Sequence, residues 1–134
     1  MLKVIPMSKA DEHERVCQKS EIKYDKNQFA YAVYEDENVL GAAQFYIKDN
    51  IGYISDLRVC EDNMPITMLL GRSVLNFLDL HGVKEAYFEK QGEYYDKAAK
   101  IIGFKIKTGS GMLILTECLP LHITMIINKK EIQK

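Results

Sequence analysis

The stretch Gly52-Tyr53-Ile54-Ser55-Asp56-Leu57-Arg58-Val59, the acidic turn Cys60–Pro65 behind it and the apolar-periodic run from Ile66 to His81 decide the fold of this chain. The first segment mixes β-branched and aromatic residues and reads as a strand. In the third, Ile66, Leu70, Val74 and Leu78 recur at four-residue steps, with Leu69 and Phe77 widening the stripe, which predicts an amphipathic helix. Asn63 is placed to cap it, Pro65 is tolerated in a first turn, and Gly82 stands where a left-handed residue closes a helix. Met68, Leu75 and Leu80 add apolar side chains off the stripe, so this helix is expected to be covered broadly. Val83–Phe88 then reads as a short central strand. One helix between two short strands predicts a parallel pair with a right-handed crossover.

Downstream, Glu93–Ile102 carries Tyr94, Tyr95, Ala98, Ile101 and Ile102 on one side, is entered through Gln91-Gly92 and is stopped by Gly103, which predicts a second helix. Phe104–Thr108 and Met112–Thr116 around Gly109-Ser110-Gly111 read as a hairpin, Leu121–Ile127 as a last edge strand, and the tail from Asn128 as frayed. Upstream, Leu2–Ile5 reads as a strand closed by Pro6. Ser8 with Asp11 fits a capping box that opens a helix to about Lys19, with Ala10, His13, Val16 and Cys17 as its buried stripe. Ser20–Gln28 is aperiodic, either an ordinary surface loop or a wall of a substrate cleft. Phe29–Tyr34, Val39–Ile47 and Ile51–Val59 form an antiparallel meander through compact polar turns, with Gly41 and Gly52 marking bulges or close backbone approach. Together these elements predict a single α/β (α+β) domain over residues 1–134. Its sheet is mixed, mostly antiparallel and twisted, with a splayed central parallel pair and helices on both faces.

At 134 residues the chain has room for one moderate core, and 47% hydrophobic with 28% charged residues is the balance of an ordinary globular protein. A formal net charge of -1 supplies no field that would draw it to nucleic acid or to an acidic membrane surface. No run of apolar residues is long enough to span a bilayer, and the start is broken by Pro6 too soon for a signal peptide. The three cysteines, Cys17, Cys60 and Cys118, are odd in number and far apart, which suits a reducing, cytoplasmic compartment. His13, His81 and His122 have no ligand spacing, so no metal is expected.

In order and spacing the elements resemble the GCN5-related N-acetyltransferase superfamily over nearly the whole chain. The likeness is strongest in Ile54-Ser55-Asp56-Leu57-Arg58-Val59, Leu70-Gly71-Arg72-Ser73-Val74-Leu75, Gly82-Val83-Lys84-Glu85-Ala86 and Ile102-Gly103-Phe104-Lys105. The resemblance implies an acyl-CoA N-acyltransferase-like fold, with acetyl transferred from acetyl-coenzyme A (acetyl-CoA) to a primary amine of a small molecule or peptide by direct attack in a ternary complex. It implies a pantetheine strand at Asp56–Val59, with the backbone of Leu57 and Val59 holding the thioester and amide. It also implies a phosphate turn over Ile66, Thr67, Met68, Leu69, Leu70 and Gly71, with Arg72 beside it. A helix N-terminus at that turn offers unpaired N–H groups and a positive dipole end. Where the family pattern has Arg or Gln and then Gly, this chain has Ile66 and Leu69, and only Gly71 remains. The Leu69 Cβ obstructs close approach of a phosphate.

Amine acetylation needs a deprotonated amine held against the thioester carbonyl, a base nearby and an acid for the leaving thiolate. The family's tyrosine acid falls on Ala99, which has no hydroxyl; Tyr95, one turn earlier on the same side, is the substitute. The bland alternative is that Tyr94 and Tyr95 pack as amphipathic aromatics. Asp56 and Glu61 flank the pantetheine strand as candidate bases, and Glu89 ends its neighbour. Asp56 is equally placed to pair with Arg58 or a lysine, and Glu61 to be a solvated loop residue. Cys60 has no histidine near it in sequence to make it a nucleophile. A rival reading is a catalytically inactive domain of this fold that uses its groove or sheet edge for a ligand or protein partner; Ile66, Leu69 and Ala99 motivate it. Met112–Leu115 and Leu121–Ile127 are apolar enough to leave an edge through which a homodimer would form. The acceptor pocket is expected between the Lys9–Gln28 region and the C-terminal hairpin.

Overall fold

The computed structural model describes residues 2–60, 63–83, 85–90, 92–103, 106–107, 112–115 and 124–128. The elements run Leu2–Pro6 (β1), Ala10–Lys19 (α1), Phe29–Glu35 (β2), Asn38–Lys48 (β3), Ile51–Val59 (β4), Met64–Leu80 (α2), Glu85–Phe88 (β5), Glu93–Ile102 (α3), Ile106–Lys107 (β6), Met112–Leu115 (β7) and Thr124–Asn128 (β8). Glu61, the Gly109-Ser110-Gly111 loop, Cys118, His122 and the tail beyond Asn128 lie outside the described residues.

The eight strands among the described residues join one sheet in the order β1-β2-β3-β4-β5-β8-β7-β6. The β1–β4 meander is antiparallel, as read, and β5 lies parallel to β4. The last strand is not an edge: β8 inserts between β5 and β7, parallel to β5 and antiparallel to β7, so that β5 gains a partner on its second side. The sheet edges are β1 and β6. Pro6 belongs to β1, where an edge position tolerates the missing N–H.

Two apolar clusters hold helices to the two faces. The larger joins Phe45, Ile54, Leu57 and Val59 of the sheet to Leu70, Val74 and Leu78 of α2 and Ile102 of α3. The smaller joins Val16 and Cys17 of α1 and Ile22 to Ala32, Tyr34 and Ala42. Each fully buried Leu, Ile or Phe contributes about 1.5–3 kcal/mol, so the α2 face carries most of the hydrophobic stabilisation.

The helix ends follow their capping chemistry. Asn63 Oδ1 accepts from the Ile66 N–H at 3.2 Å, and Gly82 adopts φ +76° just past the His81 cap. The capping box at Ser8 does not form: the N-cap is Lys9, one residue later, and Asp11 Oδ1 accepts from the Glu12 N–H instead. Ala10 is exposed, leaving His13, Val16 and Cys17 as the buried stripe. Nor is α2 covered all round. Leu75 is buried, but Met68, Leu69 and Leu80 are 43%, 38% and 75% exposed, because the sheet and α3 cover two sides of the helix and leave a third to solvent. Among the described residues no helix is long and apolar enough to cross a membrane.

Candidate active site

The site begins with a single extra residue. Gln44 opposes Asp56 across the β3–β4 ladder while Phe45 opposes Ile54, so Ser55 is the bulged residue. A bulge bends its strand and increases the local twist. The β4–β5 ladder ends at the same place: Gly52, Tyr53 and Ile54 face Ala86, Tyr87 and Phe88, and the Glu89 N–H donates to the Ile54 carbonyl at 2.9 Å. Beyond it β4 keeps its β3 pairing but has no β5 ladder, and the sheet opens as a wedge. The bulge also changes strand parity. Ile54, Leu57 and Val59 share the core under α2, a three-residue step that strict alternation forbids. Asp56 is thereby kept off the hydrocarbon face, and its charge is felt by Cys17 on α1.

Asp56 is 7% exposed and is the centre of the opening. Its Oδ1 accepts from the Leu57 N–H at 2.8 Å, and Lys90 Nζ stands 3.9 Å from Oδ2. Burial first, then the Asp56 charge, push Tyr95 up to about 12, with Arg58 opposing. Tyr94 reaches β4 one step further on, where its hydroxyl accepts from the Val59 N–H at 2.9 Å. Its ring lies 5.3 Å from the Arg58 guanidinium on one side and edge-on to Tyr95 at 5.1 Å on another.

Tyr95, read from the sequence as the acid, therefore lies within the field of Asp56, read as the base. Of the two partners the sequence offered for Asp56, the lysine is the one beside it: Lys90 stands there, and Arg58 lies over Tyr94. Glu89 turns to the Tyr46 hydroxyl, which donates to it at 2.6 Å. Glu61 is outside the described residues.

The implied phosphate turn falls inside α2, because the helix starts at Met64 rather than Ile66. The Ile66 N–H is taken by Asn63 Oδ1 and the Thr67 N–H by the Asn63 carbonyl, which also accepts from Thr67 Oγ1. Pro65 has no N–H to offer. Among the described residues, Asn63 and Met64 keep the helix-start donors that intrahelical bonding does not require. Leu70 is fully buried in the core, and Met68 and Leu69 face solvent. Gly71 lies against Ile102 of α3, and Arg72 Nε donates to the Ile102 carbonyl at 3.1 Å, a favourable place for a cation at a helix C-terminus.

On its other side the opening adjoins a cavity of about 570 Å³ lined by residues 23–28 of the α1–β2 loop with Gln44, Ser55, Asp56 and Lys90. The loop is tied down from below. Gln44, 2% exposed, accepts from the Asp25 N–H at 2.9 Å, donates to the Lys23 carbonyl at 2.8 Å and meets His13 Nε2 at 2.8 Å. The Ser55 hydroxyl donates to Gln28 Oε1, and Gln28 Nε2 donates to Asp25 Oδ2 at 3.1 Å. Sequence reasoning left this loop as either an ordinary surface loop or a cleft wall, and assigned no site role to Gln28, Gln44, Ser55, Lys90 or Tyr94. Polar residues in a strand and a loop become legible only once the bulge brings them together.

A mixed sheet opened between parallel strands, with helices on both faces, defines the acyl-CoA N-acyltransferase-like fold. No protein-family model and no curated protein matches the chain. Among solved structures it is similar to YhhK from E. coli, a candidate N-acetyl transferase bound to coenzyme A, with TM-score 0.62 and 22% identity over 81% of this chain and 94% of that one. It is also similar to an aminoglycoside N-acetyltransferase in complex with CoA, with TM-score 0.62 and 16% identity over 77% of this chain and 91% of that one. A third is an IAA acetyltransferase from Bacillus cereus, with TM-score 0.60 and 15% identity over 81% of this chain and 79% of that one. At these identities the likeness establishes the fold.

Proposed function

We propose that this chain is an N-acetyltransferase that moves acetyl from acetyl-CoA to a primary amine of a small molecule or peptide. The observation that carries this reading is the buried Asp56 carboxylate where the β4–β5 ladder ends, lining the loop-walled cavity. Acetyl-CoA supplies the activated thioester. Leu57 and Val59 N–H groups face the wedge and suit carbonyl oxygens of an extended arm. An amine entering from the cavity replaces the Lys90 ammonium beside Asp56, whose carboxylate accepts the proton as the nitrogen attacks. Tyr95, held up to about 12, keeps its proton at neutral pH and donates a hydrogen bond to the departing sulfur. Full transfer to a thiolate of ordinary pKa, about 8.5, is uphill by roughly a thousandfold, so solvent is the better final proton source.

A non-catalytic ligand-binding or protein-interaction module of the same fold is the second reading. It is favoured by the start of α2, where Asn63 and Pro65 leave few donors for a phosphate. Thiol release from acetyl-CoA, followed over a panel of amines, separates the two. Amine-dependent release that is lost in Asp56→Asn supports the transferase. Saturable coenzyme A binding with no release supports the module, and no saturable binding at millimolar ligand removes the transferase.

A further inference from the structure

Val59 ends β4 on the open side of the wedge and is 7% exposed, so its N–H has little access to water. A buried N–H needs a partner. For the neighbouring donor, Leu57, the partner is local, the carboxylate of Asp56. For Val59 it comes from 35 residues away, the hydroxyl of Tyr94 in the first turn of α3. Gly92, at φ +127°, turns the chain into that helix in a conformation that side chains rarely adopt. The Tyr94 ring is then held between Arg58 and Tyr95. The phenolic oxygen thus occupies the position on β4 that suits a ligand's amide carbonyl.

We infer that Tyr94 is a built-in occupant of the ligand seat, which a pantetheine-type amide must displace from Val59 and which thereby sets the affinity for coenzyme A. The inference rests on the transferase reading of the wedge. Ligand binding exchanges one acceptor on Val59 for another, so the contact adds little net affinity in the natural chain. Removing the hydroxyl changes that balance. The free protein is left with an unpartnered N–H, and the ligand alone satisfies it.

Calorimetric titration of the full chain with coenzyme A, alongside Tyr94→Phe, tests this. The expected result is about three- to tenfold tighter binding by the variant, the worth of one competing hydrogen bond, together with a lower melting temperature for the variant without ligand. Equal or weaker binding by the variant overturns the inference while leaving the transferase reading intact. Binding by neither protein overturns the reading of the wedge and the inference with it. Should Tyr94→Phe not fold, amide and aromatic NMR spectra of the unaltered chain decide. Coenzyme A is expected to shift the Val59 amide and the Tyr94 ring together, and saturation with both unmoved overturns the inference.

Discussion

Ile102 of α3 fills the notch that Gly71 leaves in α2: a Cβ added at Gly71 would lie 2.4 Å from Ile102 Cγ1 and Cδ1. The glycine that matched a phosphate-turn pattern therefore lets two helices close on each other. Gly71→Ala is expected to destabilise the fold by about 1–3 kcal/mol from overpacking, offset by up to roughly 1 kcal/mol of gained helix propensity. Thermal unfolding would show a fall of a few degrees, with coenzyme A affinity unchanged. Adding Ile102→Val, which deletes one of the clashing carbons, restores part of the loss. An unchanged melting temperature with lost ligand binding would return Gly71 to the phosphate.

Asp56→Asn keeps an oxygen for the Leu57 N–H but cannot take a proton. Steady-state acetylation is expected to fall about a hundredfold or more, as for loss of a general base, with ligand affinity retained. Tyr95→Phe loses one hydrogen bond, so its rate falls only about tenfold. Equal losses in the two variants would contradict the division between a proton-accepting carboxylate and a hydrogen-bonding phenol, and an Asp56→Asn enzyme of normal rate would remove the base.

Alkaline stability carries a signature of the buried thiol. Burial chiefly, helped by the Asp56 charge, raises Cys17 from its ordinary 9.0 to about 12, and Tyr95 rises from 10.0 to about 12. Between those values the folded chain holds protons that the unfolded chain has released, so stability falls as pH rises. The contribution is whole below pH 9 and declines toward pH 12. Urea midpoints measured from pH 7 to 11 should drop at the alkaline end, and Cys17→Ala should flatten that slope. An identical slope in the variant would separate Cys17 from the effect.

Asn63 holds the start of α2 through its side chain. Asn63→Ala is expected to cost about 1 kcal/mol in urea unfolding at an unchanged denaturant slope. A change below a few tenths would mean that the backbone alone holds this end.

The parts of the fold set by periodicity and caps were legible in the sequence. The four-residue recurrence of Ile66, Leu70, Val74 and Leu78 marks α2, Asn63 and Gly82 bracket it, and the turns at Asp36 and Asp49-Asn50 take the positive φ angles that compact polar turns favour. The β4–β5 opening was expected where the parallel pair meets the start of α2, and the family likeness implied it too. Its cause, the Ser55 bulge, leaves no composition signal beyond apolar residues three apart at Ile54 and Leu57. Asp56 and Tyr95 were singled out from the strand and helix that the family likeness implied. Tyr94, Lys90 and Gln44 were missed because their partners lie 35, 34 and up to 31 residues away and are fixed by tertiary closure. The phosphate turn was drawn from Ile66 on the family pattern, although Asn63 and Pro65, both read from the sequence as the helix start, set the helix beginning at Met64. The place of β8 beside β5 had no local signal at all.

The bulge makes the count of residues in β4 matter more than the identity of the extra one. Exchange Ser55 for another small residue and the strand keeps its phase. Delete it, and Ile54 and Asp56 become consecutive: strict alternation returns with Asp56 still opposite Gln44, while the bend that the bulge imposes is lost. One change of length would then flatten the strand and cut the tie from Ser55 to Gln28 without moving the Asp56 charge. Indel tolerance, more than substitution tolerance, is the trait by which relatives that share this opening should be recognised.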